Sequence, residues 1–186
     1  EVNIMGLKKY YRFLYRKVVG ALNPLKYARK IGVNMQGEGV HLYGRISWGT
    51  EPWIITLGNN VHITEGVKFI THDGGTLLFR NKVPDLEITK PIKMGNDVYI
   101  GNDVIILPGV TIGNKVIIGA GAVVSRDIPD NSVAVGVPAR VIKTADEYFE
   151  KIQKESLHLG NLKGKEKDDA LKKYYGYTGN SKGIYF

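Results

Sequence analysis

Apolar positions recur with a period of six along the middle of this chain. From Met94 the sequence reads MGNDVY, IGNDVI, ILPGVT, IGNKVI, IGAGAV and VSRDIP. Three earlier units, Leu57–His62, Ile63–Lys68 and Phe69–Gly74, keep the same frame. An aliphatic residue (Met once) opens each of the six consecutive units, and a β-branched or small apolar residue stands fifth. A period of six matches neither the 3.6 of a helix nor the sustained alternation of a long strand. It predicts very short strands joined by tight corners, with Gly, Asn and Asp at positions two to four because corners need residues that tolerate positive φ. One such coil cannot bury its apolar face alone, so successive coils stack and first-position side chains form inward ladders. Each buried Ile or Val in such a ladder stabilises by roughly 1.5–3 kcal/mol.

The ends of a stacked coil expose unpaired strand edges and need covers. Ile4, Leu7, Tyr11, Leu14, Val18 and Leu22 recur at helical spacing with Lys and Arg between them, which predicts an amphipathic helical segment over 1–30. Beyond Lys143, Tyr148, Phe149 and Ile152 predict a C-terminal helix, followed by a Lys-, Gly- and Tyr-rich tail. The chain thus reads as an N-terminal helical segment 1–30, a coil domain 31–143 and a C-terminal segment 144–186.

The pattern breaks once. Repeats stop at Gly74 and resume at Met94, leaving a loop over 75–93. A loop this long on a compact repeat is usually functional. In the unit before it, Asp73 takes the fifth position, where other units carry an apolar residue, and His72 stands beside it. Local rule-breaking in an otherwise consistent sequence is where function is expected.

Charge and cysteine content narrow the function. The net charge is +8, but residues 1–30 hold eight Lys/Arg against one acid, while 31–142 hold nine against ten. The excess therefore belongs to the N-terminal segment and not to a basic face of the coil, which argues against nucleic acid as a partner. The sequence has no cysteine. Disulfides, thiolate metal sites and a cysteine acyl-enzyme are excluded, and a cytoplasmic address is the expectation. Residues 1–22 are too charged for the apolar region of a signal peptide.

The repeats, the Phe69-Ile70-Thr71-His72-Asp73-Gly74 run before the loop, and Gly136-Val137-Pro138-Ala139-Arg140-Val141-Ile142 together resemble the hexapeptide-repeat acyltransferases over about 31–143. Within them the chain looks most like the sugar and polysaccharide O-acetyltransferases. The resemblance implies an all-β, left-handed parallel β-helix with a protruding loop and helical caps at both ends. It implies acetyl-CoA as co-substrate with no metal, a sugar or glycan hydroxyl as acceptor, and a homotrimer. By the same match His72 is the catalytic histidine. Imidazole has a reference pKa near 6.5 and suits the proton transfer that frees a hydroxyl nucleophile. Adjacent strand residues point to opposite faces, so Asp73 is expected to turn the chain rather than orient His72.

Position by position, the resemblance places Asn102 near the thioester, Ala120 along the pantetheine arm, and Ser125 and Arg126 near its far end. Arg140 and Lys143 would meet phosphate. Three hexapeptides per turn stack residues about eighteen apart, which brings Glu51 and Trp53 beside His72 as acceptor contacts. The zinc carbonic anhydrases share this coil but need three converging histidines. His41, His62 and His72 lack the close pair of that family. A streptogramin- or chloramphenicol-type acetyltransferase is the alternative, a non-catalytic scaffold the third reading. The basic N-terminal segment would also suit weak contact with an anionic membrane surface, though a cap on the coil is the first expectation for it.

Overall fold

A computed structural model describes residues 18–20 and 22–179 of the chain. Most of the amphipathic N-terminal segment, including Ile4, Leu7, Tyr11 and Leu14, lies outside the described residues. The chain divides into two compact units, the first ending at Asp146 and the second beginning at Glu147.

The first unit is a parallel coil of very short strands. Its three sheets run along the stack. One holds β1 (Asn34–Met35), β3 (Ile55–Leu57), β6 (Ile92–Met94) and β9 (Thr111–Ile112). The second holds β2 (His41–Leu42), β4 (Val61–Ile63), β7 (Val98–Ile100), β10 (Val116–Ile118), β12 (Ser132–Val135) and β13 (Arg140–Thr144). The third holds β5 (Lys68–Phe69), β8 (Ile105–Ile106) and β11 (Val123–Val124). All pairings are parallel except β12 with β13, where the chain doubles back.

The sixfold pattern maps directly onto burial. Leu57, Ile63, Phe69, Met94, Ile100, Ile106, Ile112, Ile118 and Val124, the first residues of nine successive units, are each at most 4% exposed. Fifth positions are buried as well, from Val61 and Val67 to Ala122 and Ile128, apart from the exposed Asp73. Register makes the ladders explicit: Ile63 pairs with Ile100 and Ile100 with Ile118, while Phe69 pairs with Ile106 and Ile106 with Val124. Corners carry positive φ at Asn60, Asp97, Asp103, Lys115 and Asn131.

A second ladder runs along one corner. The side-chain oxygen of Asn59 accepts from the Glu38 amide at 2.9 Å, that of Asn96 from the Asn59 amide at 2.8 Å, and that of Asn114 from the Asn96 amide at 2.9 Å. Asp130 ends the series by accepting from the Asn114 amide at 2.7 Å, and the backbone and side-chain donors of Asn114 hold its carboxyl below the usual range. These asparagines therefore satisfy backbone donors between coils as well as shaping turns.

Register also measures the loop. Val98 pairs with Val116, eighteen residues on, whereas Val61 pairs with Val98, thirty-seven on, so the interruption adds nineteen residues. Below it the coil is wider than eighteen: His41 pairs with His62 and Ser47 with Lys68, each twenty-one apart. The extra residues are taken up at the corner holding a 3-10 turn, Pro52–Ile54.

Helix α1 (Pro24–Lys30) precedes the coil, capped by the Asn23 side chain, and buries Ala28 in the core. Helix α2 (Ala145–Glu155) begins at the end of β13, and α3 (Gly164–Tyr174) lies in the second unit. Among the described residues no helix is long and apolar enough to cross a membrane.

Candidate active site

The corner that follows the third sheet gathers the chemistry. On the upper rung β5 runs into Thr71 and His72; on the lower rung Trp48 and Gly49 lead to Thr50 and Glu51. The loop leaves here as a closed neck. The Asp73 amide donates to Ile88 O at 2.9 Å, the Lys90 amide to Thr71 O at 2.9 Å, and His72 bridges Thr89. Asp73 turns the chain, as expected: its carboxylate accepts from the Gly75 amide at 2.8 Å and caps a 3-10 turn, Gly74–Phe79.

Glu51, and not Asp73, touches the histidine. Glu51 Oε2 lies 3.2 Å from His72 Nδ1 and accepts from the Thr71 hydroxyl at 2.5 Å. The Thr50 hydroxyl donates to Glu51 Oε1 at 2.6 Å, and its oxygen lies 3.1 Å from His72 Nδ1. Both threonine protons are thereby spent on the carboxylate, so Thr50 Oγ1 faces Nδ1 as an acceptor. In the neutral ring Nδ1 then carries the proton and Nε2 the lone pair. The hydroxyls of Thr50 and then Thr71, followed by His72, hold the Glu51 carboxyl below its ordinary range, so it is ionised at neutral pH.

Packing explains why the chain folds this way locally. Thr71 is fully buried in a coil lined mainly by apolar side chains, and its hydroxyl must find a partner. Gly49 permits the approach. It has φ +69°, and a Cβ there would stand 2.6 Å from Thr71 Oγ1. Phe69, stacked on Trp48 at 4.9 Å, pins the two rungs from the core side.

The residues singled out from sequence fall into three places. Glu51 and His72 share the corner. Trp53 sits on the 3-10 turn two residues past Glu51, with 63% of its surface exposed. Asn102 and Ala120 share a second corner on neighbouring rungs, where the Gly121 amide donates to Asn102 O at 2.8 Å. Ser125 and Arg126 return to the corner of His72, two rungs higher, as the Ile70–Ile106 and Leu107–Val124 bonds show. Arg140 and Lys143 lie on β13, opposite Val135 and Val133. Thr50 and Thr71 escaped the sequence reading: Thr71 stands third in its unit, a position the repeat leaves at the corner, and Thr50 precedes the repeats, so the pattern marked neither. His41 and His62, twenty-one residues apart, stack their rings at 4.7 Å on neighbouring rungs of the second sheet.

Comparison with known proteins identifies the family. Residues 91–126 match the family described as bacterial transferase hexapeptide (six repeats). The chain is 46% identical to Protein CapG of Staphylococcus aureus over 140 residues, 75% of this chain and 81% of that protein. It is 39% identical to the galactoside O-acetyltransferase of Escherichia coli (strain K12) over 57% of this chain, and spans 54% of that protein. The crystal structure of a maltose O-acetyltransferase from Clostridium difficile 630 superposes with a TM-score of 0.55 at 29% identity, covering 77% of this chain and 89% of that one. The chain belongs to the hexapeptide-repeat transferase family and is an acyltransferase.

Proposed function

We propose that this protein moves an acetyl group from acetyl-CoA to a hydroxyl of a sugar or glycan, by direct attack with His72 as general base. One observation carries the proposal: at the loop corner Glu51 and Thr50 take up His72 Nδ1–H, leaving Nε2 free as a base on a half-exposed ring. The names of the galactoside and maltose O-acetyltransferases support the sugar acceptor.

The step balances without an acyl-enzyme. The acceptor oxygen attacks the thioester carbonyl as its proton passes to His72 Nε2. The carbon–sulfur bond then breaks, and the imidazolium returns the proton to the departing thiolate. Glu51 is a positioning residue in this scheme, holding the ring and facing the positive charge that develops on it. Trp53 offers an exposed aromatic face to the acceptor. Asn102 would meet the thioester and Ala120 the pantetheine arm, with Ser125 and Arg126 towards its far end. Arg140 and Lys143, cations on β13, suit the nucleotide phosphates. Acyl-CoA thioesters are cytoplasmic metabolites, which supports a cytoplasmic address.

The active form in this proposal is a homotrimer of left-handed coils, capped at both ends by helical segments. A flat coil face has no cleft, and binding sites are concave. Leu77, Leu78, Phe79 and Val83 on the loop expose large apolar surfaces that a neighbouring subunit would cover. Cyclic closure at three copies gives three equivalent grooves. Light scattering is expected to give three times the chain mass of 20.6 kDa; an active monomer would refute the shared groove.

Thiol release from acetyl-CoA against a panel of nucleotide sugars, glycans and antibiotics tests the reaction. Turnover with a saccharide is the expected result. Turnover with chloramphenicol or a streptogramin well above every saccharide would overturn the acceptor class.

A further inference from the structure

Two cations of the lower coil take no part in the site described above. Arg45 and Lys68 line a cavity of about 400 Å³ together with Tyr27, Ile46, Trp48 and Val67. The Gly66 amide donates to Arg45 O at 2.8 Å and Ser47 bridges Lys68, so the two cations stand on adjacent rungs, two positions apart. From strand spacing and rise, their Cα atoms are roughly 8 Å apart, close enough for both head groups to reach one anion. Both residues are exposed, and neither head group is paired with a described residue. Two carboxylates stand at the cavity's edge without a described bond to either cation, Glu65 packed against Gly44 and Asp103 against Gly66.

The walls suit a small polar ligand with an apolar face. Trp48 is buried and stacked on Phe69, giving a rigid floor, while Tyr27 and Ile46 are partly exposed at the side. The volume falls within the range of small-molecule sites. Two cations with no partner among the described residues, on a mainly apolar wall, favour an anion, because a carboxylate or phosphate there gains charge-assisted hydrogen bonds that a neutral group cannot.

Position links this cavity to the catalytic corner. Residues 45–51 and 66–72 line the cavity with their first members and form the His72 corner with their last. Lys68 and His72 are four residues apart, at most about 13 Å of extended chain, which is the reach of a disaccharide. The cofactor phosphates are assigned to cations at the other end of the coil, Arg140 and Lys143, so these two are free for the acceptor.

We infer that the cavity is an anion subsite for the acceptor, and that the acceptor is an acidic saccharide. Its carboxylate or phosphate lies between Arg45 and Lys68, and a hydroxyl one or two rings away meets His72. The inference rests on the acetyl-transfer proposal above.

The test compares cellobiose with cellobiuronic acid and cellobiose 6′-phosphate, by calorimetry and by thiol release, in the wild type and in the double variant R45A/K68A. The wild type is expected to favour at least one anionic disaccharide over cellobiose by about tenfold in affinity and in kcat/KM, and that ratio should fall to near one in the variant. Circular dichroism and melting establish that the variant is folded. The two anionic probes distinguish a carboxylate from a phosphate. No preference for either, or a preference that survives the double substitution, overturns the subsite. Thiol release with neutral saccharides alone overturns the subsite and leaves acetyl transfer standing. Arg45- and Lys68-dependent binding with no thiol release leaves the subsite and removes acetyl transfer. Sedimentation with phosphatidylglycerol vesicles that is lost in R45A/K68A, without saccharide binding, would overturn it in favour of a lipid surface.

Discussion

Replacing His72 with Ala is expected to lower kcat by at least ~10²-fold, the usual worth of a positioned general base, with the KM for acetyl-CoA little changed. The side chain is 42% exposed and is not among the buried core residues, so its loss should leave the inward ladders intact and the melting temperature close to wild type. Glu51→Gln should lower kcat less. Its amide can still accept from Nδ1–H, but the negative charge facing the developing imidazolium is gone. The expected order of kcat is therefore wild type, then Glu51→Gln, then His72→Ala. Near-normal turnover in folded His72→Ala would remove the histidine from the mechanism. A Glu51→Gln protein with wild-type kcat would reduce the carboxylate to a structural ligand of Thr50 and Thr71.

Phe69→Ala is expected to cost about 3–5 kcal/mol of stability, the range for deleting a buried aromatic side chain. Phe69 has no exposed surface, and its ring lies 4.9 Å from that of Trp48 at an interplanar angle of 7°. Its amide donates to Ser47 O at 2.8 Å, and it pairs with Ile106 above. The void would open between the lower and middle rungs, against the Trp48 ring. Thr71 follows two residues later, so activity should fall as well, through loss of the Thr71–Glu51 contact. Denaturant titration measures the loss; a change below about 1 kcal/mol would show that the Trp48–Phe69 stack carries little of the lower coil.

The sequence by itself determined the coil and the place of its interruption. A six-residue apolar period has few physical solutions, and nine first positions with their fifth positions went inside as that period requires, apart from Asp73. His72 and the turn-forming role of Asp73 were legible because they break a rule that every neighbouring unit keeps. The stacking brought Glu51 near His72, but that it meets Nδ1, and that Thr50 and Thr71 close the network, was not legible. Eighteen-residue stacking points beside Trp53 and Ile54, but the lower rung carries three more residues, so the partner at Nδ1 is Glu51, with Thr50 and Thr71 closing the network. Corner length depends on how a 3-10 turn packs, and no periodicity in the chain encodes it. The same applies to the His41–His62 stack and to the Arg45–Lys68 cavity. Each joins residues about twenty apart whose meeting depends on inter-rung register, and hydrogen bonds between rungs set that register only in the assembled coil.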